Sequence, residues 1–330
     1  MYVYFDSGTT YSRIFLTEGS EILGSDKKEI GSKDTSIAEE NLILVEELKN
    51  MYDGLLKKHH LMDSDIKDIF ASGMVTSPFG IKEVPHVSLP ITFQGLKEQI
   101  FCYYEPHYFR RNIQLIPGVK NVLPNSVVVK QNFSEVNSTR GEEFEAFGII
   151  EDLARNVQAE TIAIILPGSH TQILYIKNGT IYDVLSTISG ELFYAIGANT
   201  ILSSSIIKGR YQVDQEMLRT GFHYLKKFGF NRALYLVNTM KIFSDISNVQ
   251  KTSYLEGVIT GGVIQALQWQ LKNKWHILDR VIVADNEHIL SIYETLLQEI
   301  EPSIRVSKIV ADERRSFSAR AFLKLIEMGK

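Results

Sequence analysis

The residues best suited to chemistry lie in three short stretches. The first is "YFDSGTTYSRIFL" at 4–16, where Asp6, Ser7, Gly8, Thr9 and Thr10 interrupt an apolar run. Glycine and small hydroxyl residues let backbone N–H groups approach an anion closely, and Thr9 and Thr10 add hydroxyl donors. Asp6 cannot itself attract a phosphate. It can hold Mg²⁺ through water while that ion bridges to phosphate oxygens. The second stretch is "LPGSHT" at 166–171, where Gly168, Ser169 and Thr171 offer the same chemistry. The third is "TRGEEFEAFG" at 139–148, with Arg140, a glycine, and adjacent Glu142 and Glu143 ahead of a helical run. A carboxylate placed there can accept a hydroxyl proton during phosphoryl transfer, or position the nucleophile. Each stretch also has a plain structural reading. Asp-Ser-Gly is common turn chemistry, and glutamates in a first helical turn suit the helix dipole. Two matched turns in matched domains, however, can grip one polyphosphate, which neither does alone.

The elements that must carry these stretches repeat. Strand-like runs at 2–6, 11–17 and 21–25 are joined by short turns. Residues 161–187 have the same layout: a strand at 161–166, a turn, "QILYIK", the hairpin signal Asn178-Gly179, and "TIYDVLST". The repeat is one of architecture, not of identity. It predicts two similar domains, each opening with a β-meander. Apolar spacing predicts helices over 36–60, 190–206, 212–228, 230–243, 253–273 and 312–328, and buried strands at 68–74, 113–119 and 280–285. Residues 75–92 hold three prolines and read as a surface loop that either lines a sugar pocket or simply connects. Ser189-Gly190 with Glu191 is a capping arrangement that also suits a ligand-contacting helix start. The boundary falls near 148–160, giving domains 1–150 and 151–330, with room for the last helix to pack back on the first.

Composition narrows the class. The chain has 330 residues, 44% of them hydrophobic, which is enough for two domains and a sizeable core. A net charge of −4 with interspersed signs argues against nucleic acid as a partner. A single cysteine, Cys102, rules out an intrachain disulfide and fits a reducing compartment. The N-terminus reads straight into a strand without a secretory pattern, and no run suggests a membrane span. The expectation is a cytoplasmic protein without a membrane partner. No GxxxxGK[ST] loop, dinucleotide fingerprint, zinc spacing or G-x-S-x-G elbow is present.

Taken in order, "DSGTTYSRIFL", "ASGMVTS", "VPHVSLP", "IQLIPGV", "TRGEEFEAFG", "LPGSHTQ", "ISGELF" and "YLEGVITGGVIQAL" resemble the 2-dehydro-3-deoxygalactonokinase family of the sugar-kinase/Hsp70/actin superfamily, from Asp6 to about Leu267. The resemblance implies an α/β chain of two ribonuclease-H-like domains, the actin-like ATPase fold, with a central cleft. It implies ATP and Mg²⁺ as cofactors and phosphorylation of the terminal hydroxyl of 2-dehydro-3-deoxy-galactonate or a close relative, a step of galactonate catabolism. The partners are then a small sugar acid and a nucleotide, and a homodimer is possible.

Residue by residue, the resemblance makes Ser7, Gly8, Thr9 and Thr10 the first phosphate loop, with Asp6 as its metal-side carboxylate. Gly168, Ser169, His170 and Thr171 become the second loop, and Gly261 and Gly262 lie on the nucleotide side. Arg13, Met74, Thr76, Ser77, Ser88 and Arg140 fall on the sugar side. Glu142 takes the place of the base, with Glu143 the alternative. Two departures stand out: Ser7 replaces a usual aromatic residue, and Asn286, Glu287 and His288 are bulkier than the small residues of relatives. An exopolyphosphatase-like phosphohydrolase and a non-catalytic sugar-acid-binding protein remain as alternatives.

Overall fold

The N-terminal alternation becomes an antiparallel meander of β1 (Tyr2–Ser7), β2 (Ser12–Glu18) and β3 (Glu21–Lys28), in which Asp6 pairs with Arg13 and Ser7 with Ser12. Side chains on a strand alternate between faces. Val3 and Phe5, with Ile14 and Leu16 opposite, enter one core. Tyr4 and Asp6 therefore take the other face.

The computed structural model describes residues 1–38, 40–122, 126–310 and 316–328. The chain forms two compact units, one of Met1–Ala159, Lys177–Val184 and Glu313–Lys330, the other of Glu160–Ile176 and Leu185–Asp312. In the first, α1 (Ser32–Ala38) and α2 (Leu42–Lys58) replace the single helix predicted over 36–60, within which residue 39 lies outside the described residues. Leu44, Val45, Leu48, Tyr52 and Leu55 of α2 cover the core face of the meander. Then come β4 (Asp68–Gly73), β5 (Val87–Ser88), α3 (Phe93–Glu98), β6 (Phe101–Glu105), β7 (Arg111–Leu115), β8 (Val119–Lys120), β9 (Ser138–Thr139), α4 (Glu142–Asp152) and α5 (Arg155–Gln158). The main sheet runs β3-β2-β1-β4-β7-β6, with β1, β4 and β7 parallel, and β5-β8-β9 make a small second sheet. The expected loop at 75–92 thus contains a short strand, and a 3₁₀ turn (Met74–Thr76) precedes it.

From Glu160 on, the chain forms β10 (Thr161–Leu166), β11 (His170–Lys177), β12 (Thr180–Ile188), whose first half groups with the first unit, α6 (Gly190–Asn199), α7 (Gln215–Phe228), α8 (Phe230–Phe243), α9 (Asn248–Asn273), β13 (Arg280–Asp285), α10 (Glu287–Gln298) and β14 (Arg305–Val310). Their sheet order, β12-β11-β10-β13-β14, repeats β3-β2-β1-β4-β7, which is the expected ribonuclease-H-like arrangement in each half of an actin-like chain. Three helices depart from prediction, that over 212–228 only by starting at Gln215, where Asp214 caps it. The one predicted over 190–206 ends at Asn199, where the Thr200 hydroxyl turns back to the Ile196 carbonyl. The one predicted from 253 starts at Asn248, because Ser247 and Gln250 form a capping box. The last helix, α11 (Phe317–Glu327), belongs to the first unit; the first residues of its predicted span, 312–315, lie outside the described residues. It packs on α4 and β1, with the Tyr4 and Phe322 rings stacked at 4.8 Å. Among the described residues, no helix is long and apolar enough to cross a membrane.

Candidate active site

In the first unit the strand alternation separates two neighbours. Ser7 points inward: its buried hydroxyl bonds Ser12 Oγ at 2.8 Å, and Ser12 in turn donates to the Ile30 carbonyl. Ser7 therefore braces the turn through its side chain and offers no hydroxyl to a ligand, contrary to the expectation for it. Asp6 emerges on the opposite face. Its Oδ2 accepts from Arg13 Nη1 at 3.3 Å and from Ser318 Oγ of α11 at 2.8 Å.

The turn that follows is closed by the Gly8 N–H to the Tyr11 carbonyl at 2.8 Å. The Gly8 and Thr9 carbonyls accept from the Ser32 and Lys33 amides at the start of α1. The N–H groups and hydroxyls of Thr9 and Thr10 have no partner among the described residues. They are the donors this turn offers to an anion.

Glu142 and Glu143 differ sharply. Gly141 and Gly73 both have positive φ, 119° and 84°. A Cβ on Gly73 would lie 2.3 Å from the Ser7 carbonyl, and one on Gly141 3.1 Å from Gly73 Cα. The ends of β1 and β4 and the start of α4 therefore meet backbone to backbone. Glu143 is fully buried there, and its two oxygens are taken by the Gly141 N–H at 2.8 and 2.9 Å and the Thr139 hydroxyl at 2.8 Å. It seals the start of the helix. Glu142 is half-buried, and its side chain accepts the Arg140 N–H at 3.2 Å. Burial, with the Glu143 and Asp6 charges, pushes its carboxyl up to about 7.

Glu145 lies one turn on, at i+3, a spacing that places it on the same helix face. Burial, with Asp6 and Glu142, pushes it up to about 8, while Arg13 pulls the other way. Asp6, Glu142 and Glu145 thus form an acidic corner with one guanidinium. Among the described residues no group of three His, Cys, Asp or Glu side chains is disposed to hold a metal ion unaided. The corner fits a hydrated ion that takes most of its ligands from water and phosphate, as Mg²⁺ commonly does.

The residues expected on the sugar side are held by Arg140. Its Nη1 donates to the Thr76 carbonyl and hydroxyl, at 2.5 and 2.7 Å, and to the Val84 carbonyl, and its Nη2 donates to His86 Nδ1 at 3.1 Å. A guanidinium only donates, so His86 Nδ1 accepts and Nε2 carries the hydrogen. Burial, with the Arg140 and Lys120 charges, brings His86 down to about 4, leaving it neutral at pH 7. Thr76 and Ser77 turn their hydroxyls to the Gly73 and Met74 carbonyls. Arg140, Thr76 and Ser77 therefore shape the loop, while Met74 and Ser88 remain half-buried.

The second unit encloses a cavity of about 510 Å³. Gly168, Thr171, Ser189 and Gly190 line one part of it; Tyr194, Lys208, Tyr211, Glu256, Asp285, Asn286 and His288 line others. The Ser169 carbonyl accepts from the Ser189 and Glu191 amides, and the Gly168 and Ser169 N–H groups have no partner among the described residues. Thr171 is buried, its hydroxyl bonded to Ser189 Oγ and Tyr293 OH at 2.7 and 2.9 Å. His170 is exposed beside Glu191 at 3.2 Å.

Gly261 and Gly262 do not line the cavity. A Cβ on Gly261 would meet the Phe222 ring at 2.7 Å, so this glycine lets α9 close on α7, and Gly262 faces open space. From α9 the cavity instead receives Glu256, Ile259 and Thr260, a one-face spacing. Glu256 is the one acidic side chain of α9, a signal legible in the sequence. Burial pushes it up to about 7, with Thr260 donating to it. The bulky stretch after β13 forms wall and not plug. Asn286 caps α10 through the Ile289 N–H, and Glu287 stays off the cavity.

A family model described as 2-keto-3-deoxy-galactonokinase matches residues 6–316. The chain is similar to the 2-dehydro-3-deoxygalactonokinase of Escherichia coli K12, at 21% identity over 272 residues, which covers 81% of this chain and 80% of that one. It superimposes on a candidate 2-dehydro-3-deoxygalactonokinase from Sinorhizobium meliloti with a TM-score of 0.75 at 18% identity, covering 97% and 96% of the two chains.

Proposed function

The chain belongs to the 2-keto-3-deoxy-galactonokinase family and is a sugar-acid kinase, and from that premise we propose that it transfers the γ-phosphoryl group of ATP to the terminal hydroxyl of 2-dehydro-3-deoxy-D-galactonate or a close 2-keto-3-deoxy relative. The observation that carries the reading is the contrast between two adjacent glutamates: Glu143 is sealed by three hydrogen bonds, while Glu142 is open and poised near neutrality.

Glu142 is the general base. It orients the acceptor hydroxyl and takes its proton as that oxygen bonds the γ-phosphorus and the bond to the β-phosphate oxygen breaks. The nucleoside occupies the second unit's cavity, with phosphate oxygens on the Gly168 and Ser169 N–H groups. Thr9 and Thr10 supply the first loop's donors. A Mg²⁺ ion, held by Asp6 through water, would neutralise phosphate charge. Arg13 and the His86 Nε2–H are the donors assigned to the acid's carboxylate, and Met74 and Ser88 are assigned to its side of the first unit. A coupled ADP-release assay over a panel of 2-keto-3-deoxy sugar acids tests this. Release that requires one of these acids supports it, and release at the same rate without any acid identifies a phosphohydrolase instead.

A further inference from the structure

We propose that Ser318, on the C-terminal helix, is the positioning residue for the Asp6 carboxylate. This rests on the reading of Asp6 as the cation-side carboxylate. The two residues are 312 positions apart, yet Ser318 Oγ lies 2.8 Å from Asp6 Oδ2. Arg13 reaches the same oxygen, at 3.3 Å. Both donors thus fall on Oδ2, and Oδ1 has no hydrogen-bond partner among the described residues. A carboxylate with one oxygen pinned twice and the other free is turned to present that free oxygen.

The arrangement is directional. Ser318 has one hydroxyl hydrogen, and an ionised carboxylate only accepts, so that hydrogen goes to Asp6. Ser316 Oγ, 2.7 Å from Ser318 Oγ, must then be the donor in their pair. The result is a buried relay, Ser316 to Ser318 to Asp6, in which each bond polarises the next. Ser318 is fully buried, so no water competes for it.

The helix that carries it is fixed in place. A Cβ on Gly148 of α4 would lie 1.9 Å from the Phe317 carbonyl, Lys324 pairs with Glu151, and Arg320 pairs with Asp152. Asp6 needs this anchor more than an isolated aspartate would. Glu142 and Glu145 share its corner, and whichever of them is ionised repels Asp6 and would turn a free carboxylate away. The torsion that sets an aspartate's oxygens is soft and cannot hold the plane by itself.

The test compares the full chain with its Ser318→Ala, Ser318→Thr and Asp6→Asn variants. Two quantities are read beside the melting temperature: the Mg²⁺ concentration for half-maximal ADP release, and Mn²⁺ binding with a non-hydrolysable ATP analogue by electron paramagnetic resonance. Ser318→Ala is expected to raise the Mg²⁺ requirement and weaken Mn²⁺ binding about tenfold, the scale of one hydrogen bond to a charged group. Ser318→Thr, which keeps the donor, restores both. Should Ser318→Ala fail to fold, Ser318→Cys, a weak donor of similar size, carries the same expectation. If Asp6→Asn leaves the cation requirement unchanged, the reading of Asp6 itself fails. If Asp6→Asn shifts it while Ser318→Ala does not, or if Ser318→Ala moves only the melting temperature, Ser318 is merely structural and the inference is overturned.

Discussion

The two hairpin turns, 8–11 in the first unit and 167–169 in the second, are built on one plan and equipped for different work. In both, turn carbonyls accept amides from the start of the following helix: Ser32 and Lys33 in one, Ser189 and Glu191 in the other. In both, a glycine at that helix start allows the approach. A Cβ on Gly31 would lie 2.4 Å from the Thr9 carbonyl, and one on Gly190 would lie 2.4 Å from the Gly168 carbonyl. With the carbonyls tied back, each turn keeps unpaired N–H groups, which suits an anion.

The difference is what surrounds them. The first turn stands beside Asp6, Glu142 and Glu145. The second, with Leu166 and Pro167 leading into it, opens on a cavity whose carboxylates, Glu256 and Asp285, come from α9 and the end of β13. Shared architecture offers free N–H donors twice. On the proposed reading, proton transfer and cation handling fall to one unit, where α4 and α11 bring carboxylates and their anchors to the turn.

Removing the acidic corner's base should break this asymmetry most severely. Glu142→Gln is expected to lower turnover by at least ~10²-fold, the usual scale for a general base, while ATP affinity measured by calorimetry stays unchanged. Next come the glycines that shape each turn. Gly190→Ala forces its new methyl group against the Gly168 carbonyl and should weaken ATP binding about tenfold or more, since overpacking of this kind costs roughly 1–3 kcal/mol. Calorimetric titration reads it directly, and an unaltered affinity would separate the second turn from the nucleotide.

The pH profile sharpens the same contrast. Only ionised Glu142 accepts a proton, and its carboxyl sits at about 7. Turnover should therefore rise with pH through about 7 and level off once that carboxyl is fully ionised, and Glu142→Gln should flatten that limb. The smallest effect is on stability. Glu145 sits at about 8 in the folded chain, above its ordinary 4.5. A raised carboxyl binds its proton more tightly when folded, so its contribution is fully present below about 4.5 and lost as pH rises through 8. Glu145→Gln should thus leave the melting temperature unchanged near pH 4 and raise it by ~2–4 °C at pH 8.5, as differential scanning fluorimetry would show.

Both meanders were legible in the sequence because strand alternation and the Asn178-Gly179 turn are local signals. The helix over 230–243 was legible for the same reason. The β14 strand and α10 were not: Arg305–Val310 alternates weakly, and the apolar positions of α10 follow directly on β13. At the site, the types of Asp6 and Glu142 were legible, and their division of labour was not. Nothing in "RGEE" says that Glu143 folds back on the Gly141 amide. The i+3 spacing of Glu145 was available as a clue. Ser318 had none, since its partner is at the other end of the chain, and Gly261 looked like a ligand glycine only until Phe222 was placed against it.

The most direct measurement is ADP release by the wild-type chain with Mg²⁺-ATP, with and without 2-dehydro-3-deoxy-D-galactonate and its epimers, together with mass detection of the phosphorylated acid. The account predicts acid-dependent release and a product carrying one phosphoryl group at the terminal hydroxyl. Phosphate release at an unchanged rate without acid, or nucleotide binding with no transfer to any acid in the panel, would contradict it.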